Sequence, residues 1–286
     1  MRIDLHTHST ASDGTTSPAD LVREAAAVGL DVVALTDHDT TAGWAGAVAA
    51  LPAGLTLVPG AELSCRWYGP DGVSTGLHLL AYLFDPVEPT FAAERDRVRR
   101  SRLARAETMV GMLAADGAGV TWDDVLRIAD GGAVGRPHVA RALVAAGVVR
   151  DVPSAFASEW LGSRYRVRKY DTEVFEAVRL VRDAGGVAVF AHPKASRRGR
   201  IVPDALIADL AEAGVAGLEV DHADHDAAER AALRGLAREL GLFTTGSSDF
   251  HGTNKQVCLG DNATTTAEVY EQLVAAASGG EPATAV

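Results

Sequence analysis

The chain has 286 residues, of which 47% are hydrophobic and 23% are charged, and this balance excludes disorder, collagen and coiled coil as its overall class. Its net charge of −11 argues against a general coating of the protein by nucleic acid, and two cysteines do not make a disulfide framework. No run of about 18 apolar residues occurs, which disfavours a membrane span. Residues 1–6 lack the apolar stretch of a secretion signal, so we expect a cytoplasmic protein.

Short apolar runs alternate along the chain with longer alanine-rich stretches. The predicted strands are residues 2–5, 32–35, 55–58, 79–84, 187–191, 218–220 and 242–245. The predicted helices between them include residues 18–28, 41–50, 172–184, 203–213 and 227–240. This alternation is typical of an α/β fold with βα units around a parallel sheet. Seven strands favour closure into a barrel, although a doubly wound open sheet fits the same pattern.

Residues 91–167 differ from the rest, because they show little strand signal and contain three predicted helices. We expect them to form a helical insertion into an α/β domain made of residues 1–90 and 168–277, with a flexible tail at 278–286. Residues 91–170 carry 14 of the 27 Lys and Arg residues but only 9 of the 38 Asp and Glu residues. A basic insertion beside an acidic body predicts an anionic ligand between them, although arginines at helical spacing also fit a solvated face.

Polar residues cluster where predicted strands end. His6 and His8 follow the first strand, and residues i and i+2 of an extended segment point the same way, so both imidazoles can face one cation. His78 begins its strand, so it reaches the same edge only if that strand runs antiparallel to its neighbour. The carboxyl ends of parallel strands form one face, which holds the active site in barrels. Six histidines and three carboxylates should meet there, which predicts a metal centre: His6, His8, Asp13, His38, Glu62, His78, His192, Asp249 and His251.

Five motifs occur in a recognisable order along most of the chain. They are HTHSTASDGT from residue 6, TDHD from residue 36, GAE from residue 60, AHP from residue 191 and GSSDFHG from residue 246. Together they resemble the PHP family, which is named after bacterial polymerases and histidinol phosphatases. The resemblance implies a distorted (β/α)7 barrel with a trinuclear metal centre that hydrolyses phosphate esters.

The resemblance also implies which residues bind each metal. One ion would take His6, His8, Glu62 and Asp249. A second would share Glu62 and add His78 and His192, and a third would take Asp13, His38 and His251. We expect two to three divalent ions, with manganese supporting activity and iron or zinc as alternatives. Asp13 stands where many relatives have histidine, so the third site is expected to bind more weakly or to prefer a harder ion.

Other polar residues near the motifs are expected to play supporting roles. Asp37 and Asp39 are expected to orient histidine ligands through hydrogen bonds. Glu219 lies within a predicted strand and is expected either to orient ligands or to be structural. His222 and His225 are expected at the surface or at the rim of the pocket rather than on a metal.

The insertion contains a candidate site for a substrate phosphate. Pro137 begins a predicted helix, so Arg136 and His138 flank a helix N-terminus, where free N–H groups and the helix dipole favour an anion. This segment also resembles a motif of PHP enzymes that act on nucleotide phosphates. In the same subgroup Lys169 matches a position that binds substrate phosphate. Arg197, just after the AHP motif, is a further predicted phosphate ligand, although neighbouring arginines compete for that role.

The predicted mechanism is hydrolysis without a covalent intermediate. Clustered cations would screen the charge of a phosphate ester and lower the pKa of bound water to about 7. We expect a hydroxide that bridges two metals to attack phosphorus, with the phosphate-binding residues stabilising the developing charge. Asp249 or a nearby histidine such as His192 is expected to assist departure of the leaving hydroxyl.

The basic insertion favours a substrate with two phosphates, one at the metals and one on the insertion. The first expectation is the 3′-phosphate of a nucleoside 3′,5′-bisphosphate, and the same geometry admits a short 5′-phosphorylated RNA. The net charge disfavours stable binding of duplex DNA. Histidinol phosphate is an alternative, but the insertion offers its cationic amine no obvious partner. A non-catalytic, metal-stabilised binding module is the alternative from another class.

Overall fold

A computed structural model describes residues 1–196 and 199–285. The strands are β1 (Ile3–Asp4), β2 (Val32–Leu35), β3 (Thr56–Tyr68), β4 (Ser74–Tyr82), β5 (Thr172–Glu173), β6 (Val187–Phe190), β7 (Gly217–Asp221), β8 (Phe243–Gly246) and β9 (Ala283–Thr284). The helices are α1 (Pro18–Ala27), α2 (Trp44–Ala49), α3 (Pro89–Ala115), α4 (Trp122–Ala129), α5 (Arg136–Ala145), α6 (Val152–Ala155), α7 (Val174–Asp183), α8 (Asp204–Ala213), α9 (Ala227–Leu240) and α10 (Ala267–Ala276).

Seven strands follow one another around a nearly closed barrel in the order β1-β2-β3-β4-β6-β7-β8. The N–H of His8, just after β1, donates to the carbonyl of Phe250, just after β8, at 2.8 Å and brings the two edges together. All neighbouring pairs are parallel except β3–β4 and β4–β6, which are antiparallel. The predicted barrel is therefore confirmed, and so is the antiparallel course that His78 on β4 requires.

Strand β3 is much longer than the predicted strand 55–58. Beyond residue 60 its apolar residues Ala61, Leu63 and Cys65 point into the core between the sheet and α7, while Glu62 and Ser64 face the opposite side. This period-two alternation lets β3 continue into a hairpin with β4, which pairs from Gly60↔Tyr82 to Tyr68↔Ser74. The hairpin places Glu62 and His78 on neighbouring strands.

Helices α3–α6 lie between β4 and β5 and have their own hydrophobic cluster, which includes Met109, Leu113, Val139 and Leu143. The arginines of α3 do not all lie on a solvated face. Arg95 is buried between the rings of Phe84 and Phe91, at 4.8 Å from each centroid, and Arg102 is buried against the barrel. Long aliphatic stems allow arginine to contribute to such packing, so the alternative of a solvated helix face does not hold for these two positions.

The C-terminal segment departs from the predicted flexible tail. Ala283 and Thr284 form β9, which pairs with Leu57 and Thr56 of β3, and the N–H groups of Ser278 and Gly279 donate to the carbonyl of Gly185. These backbone hydrogen bonds hold the segment against the barrel, so a flexible tail at 278–286 is wrong for the described part of that segment. In the described chain no helix has both the length and the apolar character needed to cross a membrane.

Candidate metal centre

The strand-end residues meet in three overlapping groups at one end of the barrel. Within each group, the nitrogen and oxygen atoms that could bind an ion lie within 4.8 Å of one another. The groups are His6, His8, Glu62 and Asp249; His8, Asp13, His38 and His251; and His38, Glu62 and His78. His192 lies beside the last group, with Nε2 at 3.0 Å from Oε1 of Glu62. All nine residues predicted as metal ligands therefore come together.

Glu62 lies at the centre of the cluster. Its Oε1 is 2.6 Å from Nδ1 of His78, and its Oε2 is 3.1 Å from Nε2 of His8 and 3.2 Å from Nδ1 of His38. The side chain is buried, as are almost all of its neighbours. A carboxylate whose two oxygens face different imidazoles has the geometry to bridge two cations.

The carboxylates of the cluster are strongly biased towards their charged form. Burial would raise the pKa of Glu62, but the imidazoles of His78, His38 and His6 outweigh it and bring that pKa well below its usual range. Asp13 behaves in the same way, because His38 and His251 outweigh the effect of its burial on its pKa. Ionised carboxylates in a buried pocket require cations or hydrogen-bond donors nearby.

Burial opposes protonation of two histidines of the cluster, and metal binding needs the neutral imidazole. Burial lowers the pKa of His38 well below its usual range. Burial and the neighbouring His8 and Lys255 lower the pKa of His251 to about 4. His6 differs, because Glu219, Asp249 and Glu62 overcome its burial and raise its pKa. Three carboxylates therefore surround His6.

These residues fit divalent metal ions. Oε2 of Glu62 and Nδ1 of both His38 and His78 are buried, and although they lie within 3.2 Å of other polar atoms of the cluster, none of them makes a contact with hydrogen-bond geometry within residues 1–196 and 199–285. Buried polar atoms without partners are rare in folded proteins and indicate a ligand. A donor set of imidazoles and carboxylates suits zinc, manganese or iron.

Glu219 and the two aspartates near His38 have different roles. Glu219 lies on β7, with Oε1 at 2.9 Å from Nδ1 of His6, and its Oε2 accepts from the backbone N–H of His192 at 2.9 Å. It therefore orients two candidate ligands, which is the first of the two roles expected for Glu219. Asp37 accepts from the Ser9 N–H at 2.8 Å and holds the loop after β1.

Asp39 likewise accepts its hydrogen bonds from groups other than histidines. It accepts from the Ser64 N–H at 2.7 Å and from Nε of Arg102 at 2.5 Å. Among the described residues neither Asp37 nor Asp39 forms a hydrogen bond with a histidine, so any orientation of the histidine ligands by these carboxylates is indirect. Their partners are backbone and side-chain donors that fix the loops carrying the ligands.

Two histidines expected at the surface or rim are buried, and one lysine was missed. Nε2 of His222 lies 3.1 Å from Oδ2 of Asp249, and Nδ1 of His225 donates to the carbonyl of Val220 at 2.8 Å. The loop after β7 folds into the barrel end, so its histidines face inwards. The ammonium of Lys255 contacts the carboxylate of Asp249. The sequence feature that could have identified Lys255 is its position four residues after His251, in the loop after β8.

Three of the four predicted phosphate-binding residues, Arg136, His138 and Lys169, lie in or just after the insertion. Arg136 begins α5 and lies over the ring of Phe156, 5.5 Å from its centroid. Nδ1 of His138 accepts from the Gly135 N–H at 3.0 Å, so one predicted free donor of the helix N-terminus is already capped. The ammonium nitrogen of Lys169 is buried, and it contacts the carboxylate of Asp171. The predicted ligand Arg197 lies outside the described residues.

Comparison with known proteins agrees with this geometry. Residues 4–95 match the PHP domain. The chain is 36% identical over 252 residues to the 3′,5′-nucleoside bisphosphate phosphatase of Chromobacterium violaceum, covering 87% of each protein. It is 35% identical over 265 residues to a 5′-3′ exoribonuclease of Haemophilus influenzae, covering 91% of this chain and 94% of that protein.

The fold has a close match among solved structures. The crystal structure of a proposed metal-dependent phosphoesterase from Bifidobacterium adolescentis superimposes with a TM-score of 0.88 at 35% identity, covering 96% of both chains. The match extends over the barrel and the insertion, since so little of either chain is left out. The chain belongs to the PHP family and is a metal-dependent hydrolase of phosphate esters.

Proposed function

We propose that this enzyme removes the 3′-phosphate of nucleoside 3′,5′-bisphosphates, using a centre of up to three divalent ions in which manganese supports activity. The observation that carries the proposal is a group of basic side chains, among them Arg136 and Lys169, around Arg102, which donates to Asp39 beside the candidate ligand His38. A substrate with a phosphate at each end would be bound at both places. The relative that acts on nucleoside bisphosphates supports the same substrate class.

The chain's own residues account for binding and orientation in this reaction. Glu62 and the histidines around it would hold the ions, which supply an electrophilic centre and an activated water when bound. Glu219 orients His6 through its imidazole and His192 through its backbone N–H. Arg136 and Lys169 would hold the phosphate that is not hydrolysed. The burial of the cluster excludes bulk water, which strengthens these electrostatic interactions.

A second candidate substrate is a short RNA with a 5′-phosphate. The relative named as a 5′-3′ exoribonuclease supports it, because a terminal 5′-phosphate would meet the same cations as that of a mononucleotide. The two candidates differ in what is attached to the 3′-phosphate. In the bisphosphate this phosphate carries no further group, whereas in RNA it is esterified to the next nucleotide. They can therefore be activities of one site.

The test is the release of inorganic phosphate or nucleotide from three substrates in parallel, in the presence of Mn²⁺. The substrates are adenosine 3′,5′-bisphosphate, a short 5′-phosphorylated RNA and histidinol phosphate. We expect turnover of the first and some turnover of the second. Turnover of histidinol phosphate alone would contradict the proposed substrate, and inactivity on all three would favour a binding module.

A further inference from the structure

His222, in the loop after β7, contacts a candidate metal ligand from outside the three ligand groups. It is buried, and its Nε2 lies 3.1 Å from Oδ2 of Asp249. Its Nδ1 accepts from the backbone N–H of Asp224 at 2.9 Å, whereas Oδ2 of the Asp224 side chain is 3.9 Å from the same nitrogen. Both ring nitrogens of His222 are therefore engaged by groups of the protein.

These two contacts determine where the imidazole of His222 carries its proton. A ring nitrogen that accepts from an N–H must offer its lone pair, so Nδ1 carries no proton. The proton is then on Nε2, and this N–H donates to the carboxylate of Asp249. The single nitrogen lone pair of a neutral imidazole is already used by the Asp224 N–H. In this arrangement His222 has no lone pair to offer to a metal ion, so its role is that of a donor.

The two carboxylate oxygens of Asp249 face different surroundings. Oδ2 accepts from His222 and contacts the ammonium of Lys255. Oδ1 lies 3.4 Å from Nε2 of His6 and 3.5 Å from Nε2 of His8. The backbone of Asp249 has a φ of 54°, in the left-handed region that few residues other than glycine adopt unless their surroundings impose it. The groups bound to Oδ2 thus decide which oxygen of Asp249 is directed at the ligand cluster.

We propose that His222 is a positioning residue of the metal centre, which holds Asp249 with Oδ1 directed at the ions. Without the N–H of His222 the carboxylate could rotate about its last bond and present either oxygen. Lys255 does not replace this restraint, because its ammonium lies on a flexible stem and its side chain is 30% exposed. Groups that orient a metal ligand in this way change metal affinity by about 10- to 100-fold. The inference does not depend on which phosphate ester is the substrate.

The test compares His222→Asn with His222→Gln in the full-length protein. The amide of asparagine can reach the position of Nδ1 and that of glutamine the position of Nε2, so each variant keeps one of the two contacts and is the control for the other. We expect His222→Asn to bind Mn²⁺ about 10- to 100-fold more weakly, because the donor to Asp249 is lost. His222→Gln should bind Mn²⁺ almost as tightly as the unsubstituted protein. Equilibrium dialysis against a series of free Mn²⁺ concentrations gives the affinities.

Thermal unfolding of the metal-free variants separates positioning from stability. A structural role of His222 predicts that Mn²⁺ affinity follows Tm, so the less stable variant should bind less tightly whichever contact it has lost. Positioning predicts that affinity follows the donor to Asp249, even where His222→Gln has the lower Tm because the Asp224 N–H has lost its acceptor. Equal losses of Mn²⁺ affinity in the two variants, or full affinity in His222→Asn, would overturn the inference.

A second measurement asks whether His222 acts through Asp249. In protein that carries Asp249→Asn, the further substitution His222→Asn should cost less Mn²⁺ affinity than it does alone, because residues in direct contact are energetically coupled. An equal cost with and without Asp249→Asn would contradict a role of His222 in holding this carboxylate.

Discussion

The carboxylate of Glu219 lies 2.9 Å from Nδ1 of His6, on the far side of the imidazole from the metal cluster. Because the ionised carboxylate can only accept, Nδ1 carries the proton, and in the neutral imidazole that binds a metal Nε2 would present its lone pair towards the cluster. That Nε2 is 3.1 Å from Nε2 of His8 and 3.3 Å from Oε2 of Glu62. A carboxylate outside the cluster thus decides the tautomer of a candidate ligand.

Glu219→Gln should therefore weaken metal binding without removing any ligand. The amide keeps the shape of the side chain but cannot accept through both of its ends, so it loses either the bond to His6 or the one to the N–H of His192. Changes of this kind cost about 10- to 100-fold in metal affinity. The manganese content at a fixed free Mn²⁺ concentration measures the effect. Glu239→Gln, on the exposed face of α9, is the control, and equal metal retention in both variants would contradict the orienting role.

Glu62 and Asp13 should differ in how many ions they control. Glu62 belongs to two of the three groups of candidate ligands, whereas Asp13 belongs to one. Asp13→Asn should therefore lose one bound ion and keep the others, while Glu62→Gln should lose more than one and most of the activity. Metal analysis of both variants after dialysis at the same free Mn²⁺ gives the number. Equal losses would show that the ions do not share Glu62.

Arg102 links the insertion to the barrel next to the cluster. Its Nε donates to Oδ2 of Asp39 at 2.5 Å and its Nη2 donates to Oγ of Ser64 at 2.6 Å. Asp39 follows the candidate ligand His38, and Ser64 lies two residues after Glu62. Arg102→Met should destabilise the fold by about 3–5 kcal/mol, because it leaves the buried carboxylate of Asp39 without its counter-ion. Urea unfolding gives this free energy.

A double-mutant cycle separates the pair from the packing of Arg102. The double substitution Arg102→Met with Asp39→Asn should be less destabilised than the sum of the two single variants, by at least about 1 kcal/mol, since residues in one hydrogen-bond network couple. Additive effects would show that Arg102 stabilises the insertion through its aliphatic stem alone.

The sequence predicted the metal cluster well because the barrel imposes where strand ends meet. His6, Glu62 and Asp249 each lie where the local pattern changes from apolar to polar, and the topology of parallel strands brings such points together. The antiparallel course of β4 could also be deduced from His78. In each of these cases the decisive information lay within a few residues of the side chain concerned.

The buried arginines of α3 could not be predicted in the same way. Helix α3 has arginines at 95, 97, 99, 100, 102 and 105, on every side of the helix, so periodicity does not select the buried ones. The hydrogen-bond partners of Arg102, Asp39 and Ser64, lie 63 and 38 residues away in the sequence. The pairing of β9 with β3 depends on a still longer separation. Such contacts depend on the closed fold and have no local pattern.

Lys169 should make binding of the substrate's second phosphate depend on pH. Burial and the guanidinium groups of Arg102, Arg105 and Arg66 lower the pKa of Lys169 to about 6, in spite of the nearby Asp39 and the contact with Asp171. In the free enzyme the amine is then mostly neutral above pH 7. A bound phosphate dianion favours the ammonium form, so binding takes up a proton and the pKa rises.

The direction of the pH dependence is set by this proton uptake. Between the pKa of about 6 in the free enzyme and the higher pKa in the complex, the affinity for adenosine 5′-phosphate should fall as pH rises, by up to about tenfold per pH unit. Above pH 7 the ligand contributes little, since the second pKa of a phosphate monoester is about 6. Calorimetry from pH 7 to 9 measures the dependence. Lys169→Arg should abolish it, because a guanidinium stays protonated throughout this range, and a flat profile in the unsubstituted enzyme would place the phosphate away from Lys169.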